Sequence, residues 1–328
     1  MVCKSLKRRI YVSTQDDSFV QCVSPITLRE ELNEDAYLEI LRSLLSQFRR
    51  NSSGKILMPF VSIYNLQMYY EIRGTGQHLL CISGTGVHLQ RSPTIFDSPL
   101  APHFEILTYD QRGLGQTSKP DIPYTIADYA ADADSLLNAV GWENAHVIGI
   151  SFGGMVAQEL ALRYPHRVKR LVLACTSSGG AGGSSYPLHE LVNLPSEELA
   201  HRQITIADTR WQEEAWLSSR TTQFQELVKL TLAVFQASAD EPSREVGRRR
   251  QLEARAAHDT YNRLSQLRIP VYICGGHHDG ISPPANLEAM HKQIPGSYLE
   301  FFKSGHGFLY QDPQAFKRVI AFLQNKFE

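Results

Sequence analysis

An open, mostly parallel α/β sheet with helices on both faces is the architecture this sequence predicts, on three observations. From Phe60 onward, short runs rich in Val, Ile and Leu alternate with helical patterns, the order that builds βαβ units. The runs are nearly continuous in apolar character rather than alternating, as strands covered on both faces are. One long stretch, from Thr176 to Arg268, interrupts the alternation with helical material and no clear strand.

Residues 60–64 and 66–72 read as an opening pair of strands. Six further strands follow at 78–83, 104–109, 145–150, 168–176, 270–275 and 297–303, giving a sheet of eight strands. Helices are expected between and after them at 126–140, 152–164, 285–293 and 313–327. After the sixth strand a glycine-rich entry (Gly179, Gly180, Gly182, Gly183) leads into material holding Trp211, Trp216, Phe224 and Phe235. We expect a helical cap over 179–264, lying as a lid above the carboxyl ends of the strands, where α/β proteins bind ligands. The core is then 59–178 and 265–328.

Residues 1–58 stand apart as an extension. Thr27 to Glu30 has the pattern of a capping box, and Leu38, Leu41, Leu45 and Phe48 recur at the spacing of one amphipathic helix. Asn51-Ser-Ser-Gly54 reads as a stop and linker. The helix either packs on the main body or serves as a partner-binding or regulatory element. A third possibility is that the chain properly starts at Met58.

The composition narrows the function. Of 328 residues, 42% are hydrophobic and 20% charged, with a formal net charge of −1, a balance that does not suggest nucleic acid, and no basic stripe interleaved with aromatics appears. No apolar run approaches the ~18 residues that span a bilayer, and the basic N-terminus leads into a polar stretch rather than a signal sequence. The five cysteines (Cys3, Cys22, Cys81, Cys175, Cys274) form no CxxC pair and no metal-ligand spacing. Their odd count, and the apolar runs around three of them, favour a reducing cytoplasmic setting. No metal or organic cofactor is implied, and the oligomeric state is not readable.

The sharpest motif is Gly149-Ile150-Ser151-Phe152-Gly153, a G-x-S-x-G between an apolar strand and a helical pattern. That context fits a strained strand-to-helix turn that projects a serine hydroxyl above a sheet. A serine needs a base to take its proton. His306, in Ser304-Gly-His-Gly-Phe308, follows the last strand and is flanked by glycines that permit a tight loop. Asp279, in Gly275-Gly-His-His-Asp-Gly280, leaves the preceding strand and completes the order Ser…Asp…His. Its carboxylate would fix the imidazole tautomer, although Asp-Gly is also an ordinary turn signal. His277 and His278 read as turn residues. For a developing oxyanion, the backbone N–H of Phe152 is one donor. The other is that of Thr85, in Ser83-Gly-Thr-Gly86, a contribution that outlives truncation of its side chain.

Four blocks in order carry a family resemblance: Tyr109-Asp-Gln-Arg-Gly-Leu-Gly-Gln-Thr-Ser118, the Ser151 turn with Gly153-Gly154-Met155, residues 275–284, and residues 305–313. Together they resemble the α/β-hydrolase superfamily over about Phe60 to Phe327, in particular its 3-oxoadipate enol-lactonase, esterase and cofactor-free haloperoxidase-like branch. The resemblance implies Ser151 as nucleophile, Asp279 as acid, His306 as base, and the Thr85 and Phe152 amides as oxyanion donors. One departure stands out: where the family's oxyanion loop commonly opens with His-Gly, Ser83-Gly84 stands here. Serine at the nucleophile position argues against the dehalogenases and epoxide hydrolases of the superfamily, which use aspartate.

Other polar residues take bland readings. Asp110 ties down a turn, with Arg112 structural beside it. Arg244, Arg248, Arg249, Arg250 and Arg255 form a solvated helix face rather than a carboxylate clamp. Trp211 and Trp216 either line the pocket or pack the cap on itself. The favoured activity is hydrolysis of a small-molecule carboxylic ester or lactone. Perhydrolysis, cleavage of a carbon–carbon bond by the same three side chains, and a receptor that binds without turnover are the rivals.

Overall fold

Eight strands form one sheet because their residues are apolar on both sides. The computed structural model describes residues 59–90, 92–237 and 241–327, with the backbone of four short strand segments nearer the N-terminus. The strands are β1 (Phe60–Ile63), β2 (Leu66–Arg73), β3 (Gln77–Ile82), β4 (Phe104–Tyr109), β5 (Ala145–Ile150), β6 (Val168–Ala174), β7 (Val271–Gly276) and β8 (Tyr298–Phe302). Their order across the sheet is β8-β7-β6-β5-β3-β4-β2-β1. The β1/β2 hairpin and the β2/β4 pair are antiparallel, and every other pair is parallel. Along β3, Leu80 and Ile82 face one core while Leu79 and Cys81 face the other, the period of two that a pleated strand imposes.

The first core holds helices α1 (Ile126–Val140) and α2 (Phe152–Arg163). Thr125 and Asp128 cap α1 reciprocally, and Gly141 ends it at φ 80°. The sheet order reverses between β3 and β5, so the loops after these two strands diverge around a crevice. Such a switch point is where open α/β sheets hold ligands.

Between β6 and β7 the chain forms α3 (Ser196–Ala207), α4 (Glu214–Ser218), α5 (Thr221–Ala237) and α6 (Arg244–Ala256). Trp211 packs with Phe224, Val228 and Ala200 in a small core of its own, with Trp216 against it. Both tryptophans thus pack the insertion on itself. Beyond β7 lie α7 (Pro284–Gln293), α8 (Phe308–Gln311) and α9 (Ala315–Leu323). One terminal helix over 313–327 was expected. Pro313 cannot continue a helix from the preceding turn, and Asn325, at φ 60°, turns the chain out of the helix early.

The chain divides into units Met1–Pro59 and Phe60–Glu328. In the first, Ile10–Val12 pairs with Gln21–Val23 and Arg49–Arg50 with Ile56–Leu57, both antiparallel. Strand residues therefore stand on either side of the expected linker at 51–54. That linker, the capping box at 27–30 and the amphipathic helix over 38–48 lie outside the described residues.

The two ends of the insertion are fastened together at its base. Gly179 bridges Asp259, and Thr260 N–H donates to the Ser178 carbonyl at 2.8 Å. The Thr260 hydroxyl donates to Gln158 Oε1 at 2.6 Å. His258 is buried here, and desolvation lowers its pKa from 6.5 to about 4. Because the unfolded chain takes up this proton at a higher pH than the folded one, stability is lost as pH falls from about 6.5 toward 4. By pH 5 this one histidine is expected to cost about 2 kcal/mol. Melting temperatures of wild type and His258→Gln between pH 7.5 and 5 test this: the wild type should lose several degrees more. Parallel profiles would exclude His258 from the acid response.

Candidate active site

The loops that leave β3, β5, β7 and β8 at their carboxyl ends carry the candidate residues. Ser151 follows Ile150 at the end of β5 and caps α2 with φ 55° and ψ −117°. A non-glycine residue there is strained by roughly 1–3 kcal/mol and persists only where its surroundings hold it. They do so here. Ser151 N–H donates to the Ala174 carbonyl at 2.8 Å, and its own carbonyl accepts from the Thr176 hydroxyl at 2.7 Å and Gly154 N–H at 2.8 Å. The glycines on either side are sterically required. A Cβ at Gly149 would run into the Gly153 carbonyl oxygen, and one at Gly153 into that of Ile82.

The three side chains separated in sequence meet. His306 Nε2 lies 3.0 Å from Ser151 Oγ, and His306 Nδ1 lies 2.7 Å from Asp279 Oδ2. An ionised carboxylate can only accept, so Nδ1 carries the proton and Nε2 is left as the acceptor facing the serine. The second oxygen of Asp279 accepts from Ile281 N–H at 2.8 Å and Ser282 N–H at 2.9 Å, which fixes the carboxylate plane. Asp279 is fully buried while the histidine keeps some exposure. Its Asp-Gly turn and its contact with the histidine coexist.

Two of these loops are tied to the insertion. The last carbonyls of α3 accept from them: Ala207 from His306 N–H at 2.6 Å, Ile206 from Gly280 N–H at 3.0 Å. His277 and His278 sit in the turn before Asp279, their N–H groups bonded to the Phe302 and Ser304 carbonyls.

The serine opens into a cavity of about 510 Å³ whose lining is mainly apolar, including Ile95, Leu89, Ile150, Leu309 and, from the insertion, Leu188 and Ala207. Thr85 lines it from the loop after β3. The backbone N–H groups of Thr85 and Phe152 have no hydrogen-bond acceptor among the described residues, and Phe152, as the first residue of α2, has no helical partner for its own. The loop is braced by groups the sequence did not single out. Gln111 Nε2 donates to the Ser83 carbonyl at 2.8 Å, and Gln251 Oε1 accepts from Gly86 N–H at 2.9 Å. No cluster of three or more His, Cys, Asp or Glu suited to a metal occurs among the described residues.

The Tyr109–Ser118 block is structural. Asp110 is buried and accepts from Leu89 N–H at 2.7 Å and Gln116 N–H at 2.8 Å. Burial is the main cause that raises its pKa to about 6. Arg112 makes a two-point bond to Asp132, at 2.6 and 2.7 Å. On α6, Arg249 and Arg250 pair with Asp121, and Arg248 with Glu245, as a solvated face would. Arg255 departs from that expectation, being 6% exposed.

A family model for the alpha/beta hydrolase fold matches residues 77–313, and the chain belongs to that family. Over 223 residues it is 28% identical to 3-oxoadipate enol-lactonase 2 of Acinetobacter baylyi, spanning 68% of this chain and 79% of that one. Over 251 residues it is 28% identical to a poly(3-hydroxyalkanoate) depolymerase of Ectopseudomonas oleovorans, spanning 76% and 84%. The crystal structure of the enol-lactonase from Burkholderia xenovorans LB400 superposes with a TM-score of 0.65 at 20% identity, covering 81% of this chain and all of that one. That likeness concerns the fold. No helix among the described residues is long and apolar enough to cross a membrane.

Proposed function

We propose that this protein is a serine hydrolase that cleaves a carboxylic ester or lactone through an acyl-enzyme on Ser151. The observation that carries the reading is the His306 imidazole, bonded through one nitrogen to Ser151 Oγ and through the other to Asp279. As Oγ attacks the carbonyl carbon, Nε2 takes its proton, and the Asp279 carboxylate stabilises the imidazolium. The oxyanion is held by the amides of Thr85 and Phe152. Collapse expels the alcohol oxygen, which takes the proton back from Nε2. Water then attacks the acyl-enzyme, giving its proton to the same nitrogen, and Ser151 leaves with that proton as the acid is freed.

The mainly apolar cavity suits an apolar acyl or alcohol group. The names of the relatives, an enol-lactonase and a depolymerase of a polyester, point the same way. We read residues 179–264 as a lid over this cavity and residues 1–58 as an extension outside the chemistry. Three buried free cysteines, Cys81, Cys175 and Cys274, accord with a reducing cytoplasm.

Purified protein is expected to hydrolyse p-nitrophenyl butyrate and to react with a fluorophosphonate probe, with the adduct mapping to Ser151. Hydrolysis no faster than that of Ser151→Ala would replace this reading with that of a receptor without turnover.

A further inference from the structure

Helix α6 of the insertion reaches the oxyanion loop with two side chains one turn apart. Gln251, 1% exposed, takes the Gly86 N–H, and Arg255 Nη1 donates to the Thr85 hydroxyl at 3.3 Å. Arg255 makes no ion pair within 4 Å among the described residues, the Asp279 carboxylate acting on it only at longer range, and its Nε and Nη2 find no acceptor there. Burial lowers its pKa to about 10, which still leaves it charged at neutral pH. An unpaired buried cation is costly to keep, and replacing such a charge with an apolar side chain often stabilises a protein. Packing alone is therefore a weak reason for an arginine here.

We propose that Arg255 and Gln251 are positioning residues for the oxyanion loop, which opens here with Ser83-Gly84. Gln251 pins the loop at Gly86 and Arg255 pins it through the Thr85 hydroxyl, so that the Thr85 N–H faces the carbonyl attacked by Ser151. The inference rests on the serine-hydrolase reading. The Thr85 amide itself survives truncation of its side chain; what the hydroxyl supplies is the aim of that amide.

Losing an oxyanion donor outright costs about 10²–10³ in kcat, and a misplaced donor costs less. Arg255→Met is expected to lower kcat for p-nitrophenyl butyrate by about 20- to 100-fold, with KM within about twofold and the melting temperature unchanged or raised. Arg255→Lys should recover part of the loss. Thr85→Val should lower kcat about fivefold to tenfold, and Arg255→Met should add little in that background, because both remove one contact. Butylboronic acid, whose serine adduct places an oxygen where the oxyanion forms, should lose affinity in step with kcat. Arg249→Ala, on the exposed face of the same helix, serves as the unaffected control.

If Arg255→Met does not fold, Thr85→Val and Gln251→Met carry the test with the same readouts. A fall in kcat matched by a fall in melting temperature, or losses that add in the double variant, would assign Arg255 to packing and overturn the inference. Phosphonylation of Ser151 separates the two readings. If wild type labels and Arg255→Met labels equally fast, only this inference falls. If wild type does not label at all, the serine-hydrolase reading falls and takes this one with it.

Discussion

Ser151→Ala is expected to lower kcat toward p-nitrophenyl butyrate by about 10⁵- to 10⁶-fold and to abolish fluorophosphonate labelling. Without Oγ there is no acyl-enzyme, so the two-step route is closed rather than slowed. What survives is attack by water assisted by the remaining amides and binding, which in enzymes of this kind leaves roughly 10³–10⁴ over the uncatalysed rate. The fold should be untouched, or slightly more stable, because alanine removes a polar group from a strained turn (φ 55°) without changing its size much. Active-site titration must accompany the rate measurement, since traces of wild type dominate such assays. A residual rate within a hundredfold of wild type would show that another group attacks the carbonyl.

Asp279→Asn carries the second large effect, a fall in kcat of about 10⁴-fold in a folded protein. Its sign comes from hydrogen bonds that do not involve the histidine. Asp279 Oδ1 accepts from the Ile281 and Ser282 N–H groups, so an asparagine would turn its carbonyl oxygen toward them. Its NH₂ would then face His306 Nδ1, 2.7 Å away in the wild type. An NH₂ can only donate, so Nδ1 would become the acceptor and the proton would move to Nε2. The nitrogen facing Ser151 would then have no lone pair to accept the hydroxyl proton. A loss of tenfold or less would mean that another acid orients the imidazole.

Much of this molecule is legible in its residues. The parallel strands stand out because burial on both faces demands unbroken apolar runs, such as Leu79 to Ile82. The serine stands out because its turn admits only glycine at positions 149 and 153. The histidine and aspartate were found through chain order, since neither neighbourhood is distinctive alone. The bracing of the oxyanion loop was not legible. Gly86 and Gln251 are 165 residues apart, and Thr85 and Arg255 are 170 apart. Nothing local marks Arg255 as the member of an arginine-rich helix that turns inward, because helical spacing assigns a face without saying what lies opposite. The packing of Trp211 and Trp216 on one another was equally open until their neighbours were known.

The contacts at the end of α3 bear on how reactants reach and leave the serine. A door that swung clear would strip His306 of its bond to Ala207 and Gly280 of its bond to Ile206, and would free Gly86 from Gln251. On the proposed reading, opening and competence are thus opposed, because the insertion holds the loops that carry His306 and the oxyanion donors. Leu188 of the insertion and Tyr310 after β8 line the same cavity as Ser151.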